Sequence, residues 1–445
     1  MRQSLRSAAA RCAPYAALAA VMLALHLQFT LGTGDDVMYS QTLLQSSLYD
    51  FSVWHYYTWS ARTLVEAVMV IVESWPALVW RLLDPFVIAL GALCGAQLLG
   101  LRGRPSSEWA LCAAVLCYPW SDMSTAGWIC TTLVFVWPLT AALASACALQ
   151  KAARTGRAGL FAAALSCAGL LYAANMELLC GAYLICLAGF FAARIFSRER
   201  IPALFWAQTA VCAANLVWAL TCPGTQMRYE NQIASSFCDY GLLGFFQKLS
   251  VGIHAAAANT LFTAHIGAAV LFGILAVSVW AGTRRRLPRA ASLAPAAFFA
   301  VFGFAAAPLS ALVPQTMFFT HMSSAYGGPI RVETAGMWKS YVPLFAAAGL
   351  IAAACAMLCL ALGLTRRTWQ VLCALAAGAA AYAVMGFSPS VYDSGPRTGF
   401  FLGMALSAAC AAVFDALPAR TKARPAAAAI LAAGAAYGVF ALIGA

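Results

Sequence analysis

Long apolar segments recur along the whole chain and constrain its fold more than any other feature. Thirteen of them approach the roughly 20 mostly apolar residues that an α-helix needs to cross a bilayer. Only 9% of the residues are charged, too few to cover a soluble particle of this size, for which about 25% is usual. The sequence therefore predicts an all-α polytopic membrane protein and excludes a soluble enzyme or a nucleic-acid-binding domain. The predicted spans are 12–31, 78–101, 105–121, 128–149, 158–174, 177–196, 201–221, 255–282, 291–312, 341–364, 368–387, 398–417 and 426–444.

The positions of Lys and Arg predict how the chain is oriented. Basic residues favour short cytoplasmic loops. With the N-terminus placed in the cytoplasm, 20 of the 27 basic residues fall inside, whereas 12 of the 15 acidic residues lie near the outer face. We therefore predict a single transmembrane domain over 1–445 in the plasma membrane, with its unusual residues on the extracytoplasmic side. The outer loops are then 32–77, 222–254, 313–340 and 388–397.

Two adjacent acidic residues, Asp35 and Asp36, follow directly after the first apolar segment. Asp is favoured at helix N-termini, where it meets free N–H groups and the positive end of the helix dipole. One Asp suffices for a cap, and a second adds repulsion unless it serves as a base or a metal ligand. Capping and catalysis both stay open. We expect unequal roles for the two carboxylates, with Asp36 on the helix side.

The next part of the first outer loop predicts an amphipathic helix. Residues 62–76 are mostly apolar and follow an aromatic-rich stretch typical of a membrane interface. Glu66 and Glu73 stand seven positions apart, which places them on one side of a helix. We predict a helix on the outer face of the membrane with both carboxylates on its solvated side.

Several charged residues stand at the predicted outer ends of spans. Arg62, Arg228 and Arg397 run against the tendency of basic residues to be cytoplasmic. A guanidinium suits bidentate phosphate binding, although ion pairs with outer acids or contacts with lipid headgroups explain these residues equally well. Glu177, beside Asn175, begins a span, where a charge indicates function by default. A helix cap is the alternative for Glu177.

The histidines and cysteines give no recognisable metal or redox motif. His55, His254, His265 and His321 lack metal-ligand spacing and are predicted to be packed or solvated. Cys222 and Cys238 are the two of 16 cysteines outside the apolar segments, and a disulfide and two free thiols both stay open. No phosphate-binding loop is present, which argues against ATP-driven transport by this chain alone.

An acidic pair after the first span, followed by an amphipathic outer helix and ten or more spans, resembles the GT-C superfamily of membrane glycosyltransferases. More closely, the chain is similar to a bacterial family of multi-spanning proteins grouped with them. Ala61 and Thr225 stand where that family leads us to expect Gly and Asn. The residues that carry the resemblance are Asp35-Asp36, Trp59-Ser60-Ala61-Arg62, Pro223-Gly224 with Arg228, and Ser394-Gly395-Pro396-Arg397.

The resemblance implies a GT-C-like topology and the transfer of a sugar from a polyprenyl-phosphate donor to a lipid- or cell-wall-linked acceptor on the extracytoplasmic face. A carboxylate of Asp35 or Asp36 would then act as general base. Arg62, Arg228, Arg397 and Glu177 would bind substrate, with Arg stabilising the departing phosphate. No cofactor can be assigned. A divalent metal stays open, because no third ligand can be named.

Two other classes of function compete with this one. A transporter or a lipid or glycolipid flippase often has inverted repeats, broken helices and charges at the middle of the membrane. In this sequence the charges stand at outer span ends, and no central apolar segment carries a clear buried ion, which favours an outward-facing site. A structural or assembly protein without catalytic activity is the third alternative.

Overall fold

The computed structural model describes residues 2–283, 286–316 and 330–443, which are helical and contain no strand. The first eleven helices are α1 (Arg2–His26), α2 (Asp35–Gln45), α3 (Leu48–Thr58), α4 (Thr63–Glu73), α5 (Ala77–Leu98), α6 (Pro105–Leu116), α7 (Trp128–Thr155), α8 (Leu160–Ala174), α9 (Glu177–Phe196), α10 (Ala203–Leu220) and α11 (Pro223–Ser235). The later ones are α12 (Phe245–Leu261), α13 (Ile266–Gly282), α14 (Arg286–Phe299), α15 (Ala306–Leu312), α16 (Val342–Leu362), α17 (Arg366–Ala383), α18 (Phe400–Ala416) and α19 (Ala423–Ile443).

The apolar helices confirm a multi-pass membrane protein but not the count of 13 spans. In the described ranges, nine helical segments are long and apolar enough to cross a bilayer, and α12 with α13 forms a tenth if this pair, bent by 72°, is one span. The other three predicted spans contain shorter apolar helical stretches: the part of α1 from Arg11 to His26, α6 and α8. The chain leaves helical geometry at His26 and Leu116, although apolar residues continue beyond both, so hydropathy overestimated the helical length there.

The chain divides into two compact units: Met1–Cys112, Trp120–Arg228 and Val439–Ala445 form the first, and Ala113–Pro119 and Tyr229–Gly438 the second. In the first unit, α7 is central and packs against α5, α8 and α4. In the second unit, α13 packs against α16 and α18, and α12 against α17. The single transmembrane domain expected over 1–445 stays a prediction.

The first outer loop is a compact helical structure rather than a loop. Its three helices α2, α3 and α4 pack together, and α4 also packs against α7. The predicted helix over 62–76 is confirmed as Thr63–Glu73. Its predicted solvated side is wrong, because Glu66 and Glu73 are only 5% and 7% exposed. Neighbouring helices cover both carboxylates, which sequence periodicity could not reveal.

The other predicted outer loops also contain packed structure. Pro223-Gly224 begins α11 instead of forming an isolated turn, as suits the fixed φ of Pro at a helix start. In the second unit, segments from all three later outer loops share one apolar core that includes Phe237, Ile330 and Val391. Residues 317–329, with His321, and Arg284 and Arg285 lie outside the described residues.

Candidate functional site

Arg62 and Glu177 form an ion pair between two distant segments of the first unit. Arg62 Nε donates to Glu177 Oε2 at 2.6 Å, joining the start of α4 to the first residue of α9. Burial disfavours the charged guanidinium, but the carboxylates of Glu177 and Glu66 outweigh burial and raise the pKa of Arg62. The structure thus brings two of the predicted site residues into direct contact.

The backbone on both sides of Arg62 is held by hydrogen bonds from Asn175, which lies between α8 and α9, and from Trp218 of α10. Asn175 Oδ1 accepts from the backbone N–H groups of Leu64 and Val65 at 2.8 and 3.2 Å. These are N–H groups of the first turn of α4, which have no partner inside the helix. Asn175 Nδ2 and Trp218 Nε1 both donate to the Ala61 carbonyl at 3.1 Å. The position of Arg62 is therefore set by tertiary contacts rather than by the local turn.

Arg228 is a second cation at the same place. Its guanidinium lies over the Trp59 ring, 5.9 Å from the centroid. Within the described ranges, Arg228 has no carboxylate at salt-bridge distance. Burial and the neighbouring Arg62 lower the pKa of Arg228, whereas Glu177 raises it. The start of α11 lies close to the backbone of Trp59. At Gly224, an added Cβ would lie 2.3 Å from the backbone nitrogen of Trp59, so this approach requires glycine.

Glu66 forms a buried polar cluster behind the Arg62 turn. Its Oε2 lies 2.6 Å from His55 Nδ1, and its Oε1 accepts a hydrogen bond from Ser60 Oγ at 2.7 Å. His55 is packed, as predicted, and it packs against a carboxylate. This pair could not be predicted from the sequence, because His55 and Glu66 belong to different helices and follow no motif spacing.

At the other end of α4, Asp36 and Glu73 are in contact. Asp36 Oδ1 and Oδ2 accept from the backbone N–H groups of Cys130 and Ile129 at 3.0 and 3.3 Å, so this carboxylate caps α7. Burial, together with Asp36, raises the pKa of Glu73 to about 9. Glu73 is thus protonated at neutral pH and hydrogen-bonds to Asp36. One Glu73 oxygen, Oε1, is buried without a hydrogen-bond partner.

The acidic pair is therefore divided between two environments. Asp36 lies on a helix, as expected, but its carboxylate caps α7 rather than α2, of which it is the second residue. Asp35 lies in the first turn of α2 with its side chain exposed, and its backbone N–H donates to the Ala126 carbonyl. Asp35 is thus exposed, whereas Asp36 is buried.

Arg397 belongs to the second unit, where it lies half-buried in the 3₁₀ helix Pro396–Gly399. Its approach to Arg228 or to the acidic pair stays a prediction. The disulfide between Cys222 and Cys238 is not formed, because both are free thiols. Cys222 Sγ is instead buried and donates to the Tyr56 carbonyl at 3.0 Å.

No metal site emerges in the part of the chain that the structure describes. Those residues include no group of three or more His, Cys, Asp or Glu side chains that could hold an ion. Asp36, expected as the helix-side partner of the acidic pair, accepts hydrogen bonds from the start of α7. The described residues therefore give no ligand set on which a role for a divalent metal could be built.

A buried ionisable pair inside a span escaped the sequence interpretation. Asp84, in the middle of α5, is fully buried, with Oδ2 2.9 Å from His26 Nε2. Trp137 Nε1 donates to its other oxygen at 2.8 Å. The expectation that no central apolar segment carries a buried ion was therefore wrong. A single Asp within the apolar segment 78–101 was the available signal.

Searches with the whole chain find no matching family model, no matching curated protein and no matching solved structure.

Proposed function

We propose that this chain is a membrane glycosyltransferase of the GT-C type. It moves a sugar from a polyprenyl-phosphate donor to a lipid- or cell-wall-linked acceptor on the extracytoplasmic face. The observation that carries the proposal is Arg228, a half-buried cation with no carboxylate at salt-bridge distance among the described residues, beside the Arg62–Glu177 pair. A phosphate group needs converging donors of this kind.

The charges of the cluster support an anionic ligand. Glu177 neutralises Arg62, and Glu66 is engaged by His55 and Ser60. Arg228 has no carboxylate at salt-bridge distance among the described residues, and a phosphate would supply its counter-charge. Arg also suits the reaction, because fixed cations stabilise the charge that develops on a departing phosphate.

Asp35 is the stronger candidate for the general base. Its side chain is exposed, whereas Asp36 is 2% exposed and bound to the start of α7. A base at this position would deprotonate the acceptor hydroxyl, and losing such a group costs about 10²- to 10⁴-fold in rate. Asp35→Asn is therefore expected to abolish transfer in a folded protein, with Asp50→Asn, another acid of the same outer segment, as control.

A lipid or glycolipid flippase is the second candidate, and the Asp84–His26 pair favours it. Ionisable residues inside spans are common on transport pathways. A flippase would bind the same phosphate through Arg228 but would leave the bond between sugar and phosphate intact. The two candidates therefore differ in whether a new covalent product forms.

The test uses the full chain in nanodiscs with a panel of radiolabelled polyprenyl-phosphate sugars and a lipid extract as acceptor source. We expect label to move from at least one donor to a new product, and Arg228→Gln to weaken donor retention by about tenfold or more. Arg157→Gln, an exposed Arg on the predicted inner side, is the control. Donor that crosses the bilayer with its sugar still attached would instead identify a flippase.

A further inference from the structure

The predicted inner loop after α7 carries basic residues and no acid. The three acids on that side each engage an Arg, in the pairs Arg102–Glu108, Arg194–Glu199 and Arg367–Asp415. By contrast, Lys151, Arg154 and Arg157 are exposed, and none of them has an acidic partner at salt-bridge distance among the described residues. Positive charge is therefore uncompensated at this end of α7.

A groove of about 320 Å³ lies beside this charge, between the ends of α5 and α7. Its walls are mostly apolar. Two of the three cations contribute to it, and the third, Arg157, does not. The lining residues are Gln97, Cys147, Ala148, Lys151, Arg154 and Thr155.

The groove is built into the packing of the two helices. Cys147 Sγ donates to the Cys94 carbonyl at 3.4 Å, and Gln150 Nε2 donates to the Leu98 carbonyl at 3.0 Å, so α7 is tied to α5 along the groove. The lining residues of α7 recur at intervals of three or four positions, at 147/148, 151 and 154/155, which puts them on one helix face. Along that face, Lys151 stands about one turn and Arg154 about two turns beyond Cys147 and Ala148.

We propose that this groove binds an anionic phospholipid, with its phosphate against Lys151 and Arg154 and the start of an acyl chain along Cys147 and Ala148. Basic residues at the end of a span attract anionic headgroups. A free phosphate ion would leave the apolar wall unused. A phosphatidylcholine headgroup would bring its own cation toward the two cations of the protein. The inference does not depend on the proposed glycosyltransferase activity.

The alternative is that Lys151 and Arg154 only anchor the span and balance the negative end of the α7 dipole. Arg157 provides the matched control, because it has the same charge in the same loop but does not line the groove. Ala148 provides a second one, because Ala148→Phe fills the groove without changing its charge.

The experiment measures how much phosphatidylglycerol and phosphatidylcholine, supplied in equal amounts, stay bound to the purified full chain in native mass spectrometry. We expect the wild type to retain phosphatidylglycerol with a preference on the order of tenfold. Lys151→Gln with Arg154→Gln should abolish the preference, and Ala148→Phe should lower it. Arg157→Gln and the exchange Lys151→Arg with Arg154→Lys should preserve it, and millimolar inorganic phosphate should not displace the lipid.

Three results would overturn the proposal. Equal losses for Arg157→Gln and the double variant would show diffuse surface charge rather than a site. An unchanged preference in Ala148→Phe would show that the apolar wall takes no part. Displacement by inorganic phosphate would show an anion site that does not require a lipid.

Discussion

The two ends of α4 carry the same residue type in opposite chemical situations. At its start, Glu66 accepts from Ser60 and lies against His55, next to the Arg62–Glu177 pair. At its end, Glu73 meets another carboxyl group, that of Asp36, and is protonated at neutral pH. The comparison shows that neighbours, rather than position on a helix face, set the state of a buried acid.

Removing Arg62 should have the largest effect on stability. Arg62→Ala leaves the half-buried Glu177 without its partner, so we expect a loss of about 3 kcal/mol in the free energy of unfolding. Denaturant unfolding of the detergent-solubilised chain measures the loss, with Arg157→Ala as control. Arg62→Ala combined with Glu177→Gln should recover part of it. If the stability loss of the double variant equals the sum of the losses of Arg62→Ala and Glu177→Gln measured separately, the two side chains are not coupled.

Glu66→Gln should have the second-largest effect on stability. It retains an acceptor for Ser60 but removes the carboxylate that faces His55, and hydrogen bonds to charged groups contribute about 2 kcal/mol. The loss should appear in thermal unfolding at neutral pH. The matched control is Glu73→Gln on the same helix. A smaller loss for Glu66→Gln than for Glu73→Gln would reverse the comparison between the two ends.

Asp36→Ala should destabilise the protein by about 1–2 kcal/mol, because the first turn of α7 loses its cap. Asp35→Ala, one position earlier and exposed, should change the stability by less than about 0.5 kcal/mol. Removal of Asp36 should also lower the pKa of Glu73, because the Asp36 carboxylate is one of the groups that raise this pKa. Equal stability losses at the two positions would show that Asp36 is not a cap.

Glu73→Gln should have the smallest effect at neutral pH, below about 1 kcal/mol, since it replaces a neutral acid by a neutral amide. The pH dependence is the sharper test. Because the pKa of Glu73 is about 9 in the folded protein and 4.5 ordinarily, the folded state retains a proton that the unfolded state loses between these values. Wild-type stability should therefore fall as the pH rises from about 5 to about 9.

In the same pH series, the stability of Glu73→Gln should not show the fall that the titration of Glu73 causes in the wild type. Unfolding midpoints measured across the range provide the comparison. Parallel curves for the two proteins would mean that Glu73 titrates alike in the folded and unfolded chain.

The multi-pass helical class and the helix at 63–73 could be predicted from the sequence, because both depend on local patterns of apolar residues. The number of spans could not be predicted in the same way, because hydropathy counts apolar residues whether or not they are helical. The segments 12–31 and 105–121 show this, since their helices end at His26 and Leu116.

For the candidate site, the sequence identified most of the charged residues but not their partners. Arg62 and Glu177 were singled out separately, and the hydrogen bond that joins them spans 115 positions. No local rule brings such residues together. None distinguishes Arg62, which has a carboxylate partner, from Arg228, which has none at salt-bridge distance in the described part of the chain. The aromatic segment before Arg62 was predicted only as a membrane interface, yet it contains His55 and Trp59, which contact Glu66 and Arg228.

The sequence by itself determined that this protein is a helical membrane protein with unusual charges at the ends of its apolar segments, since span length and residue type are local properties. Only the tertiary structure decided which charges are paired, which carboxyl is protonated and which cation lacks an acid. The physical reason is that burial and charge–charge interactions act through space over a few ångströms. The positions that they join lie far apart along the chain, as Asp36 and Cys130 do, 94 positions from one another.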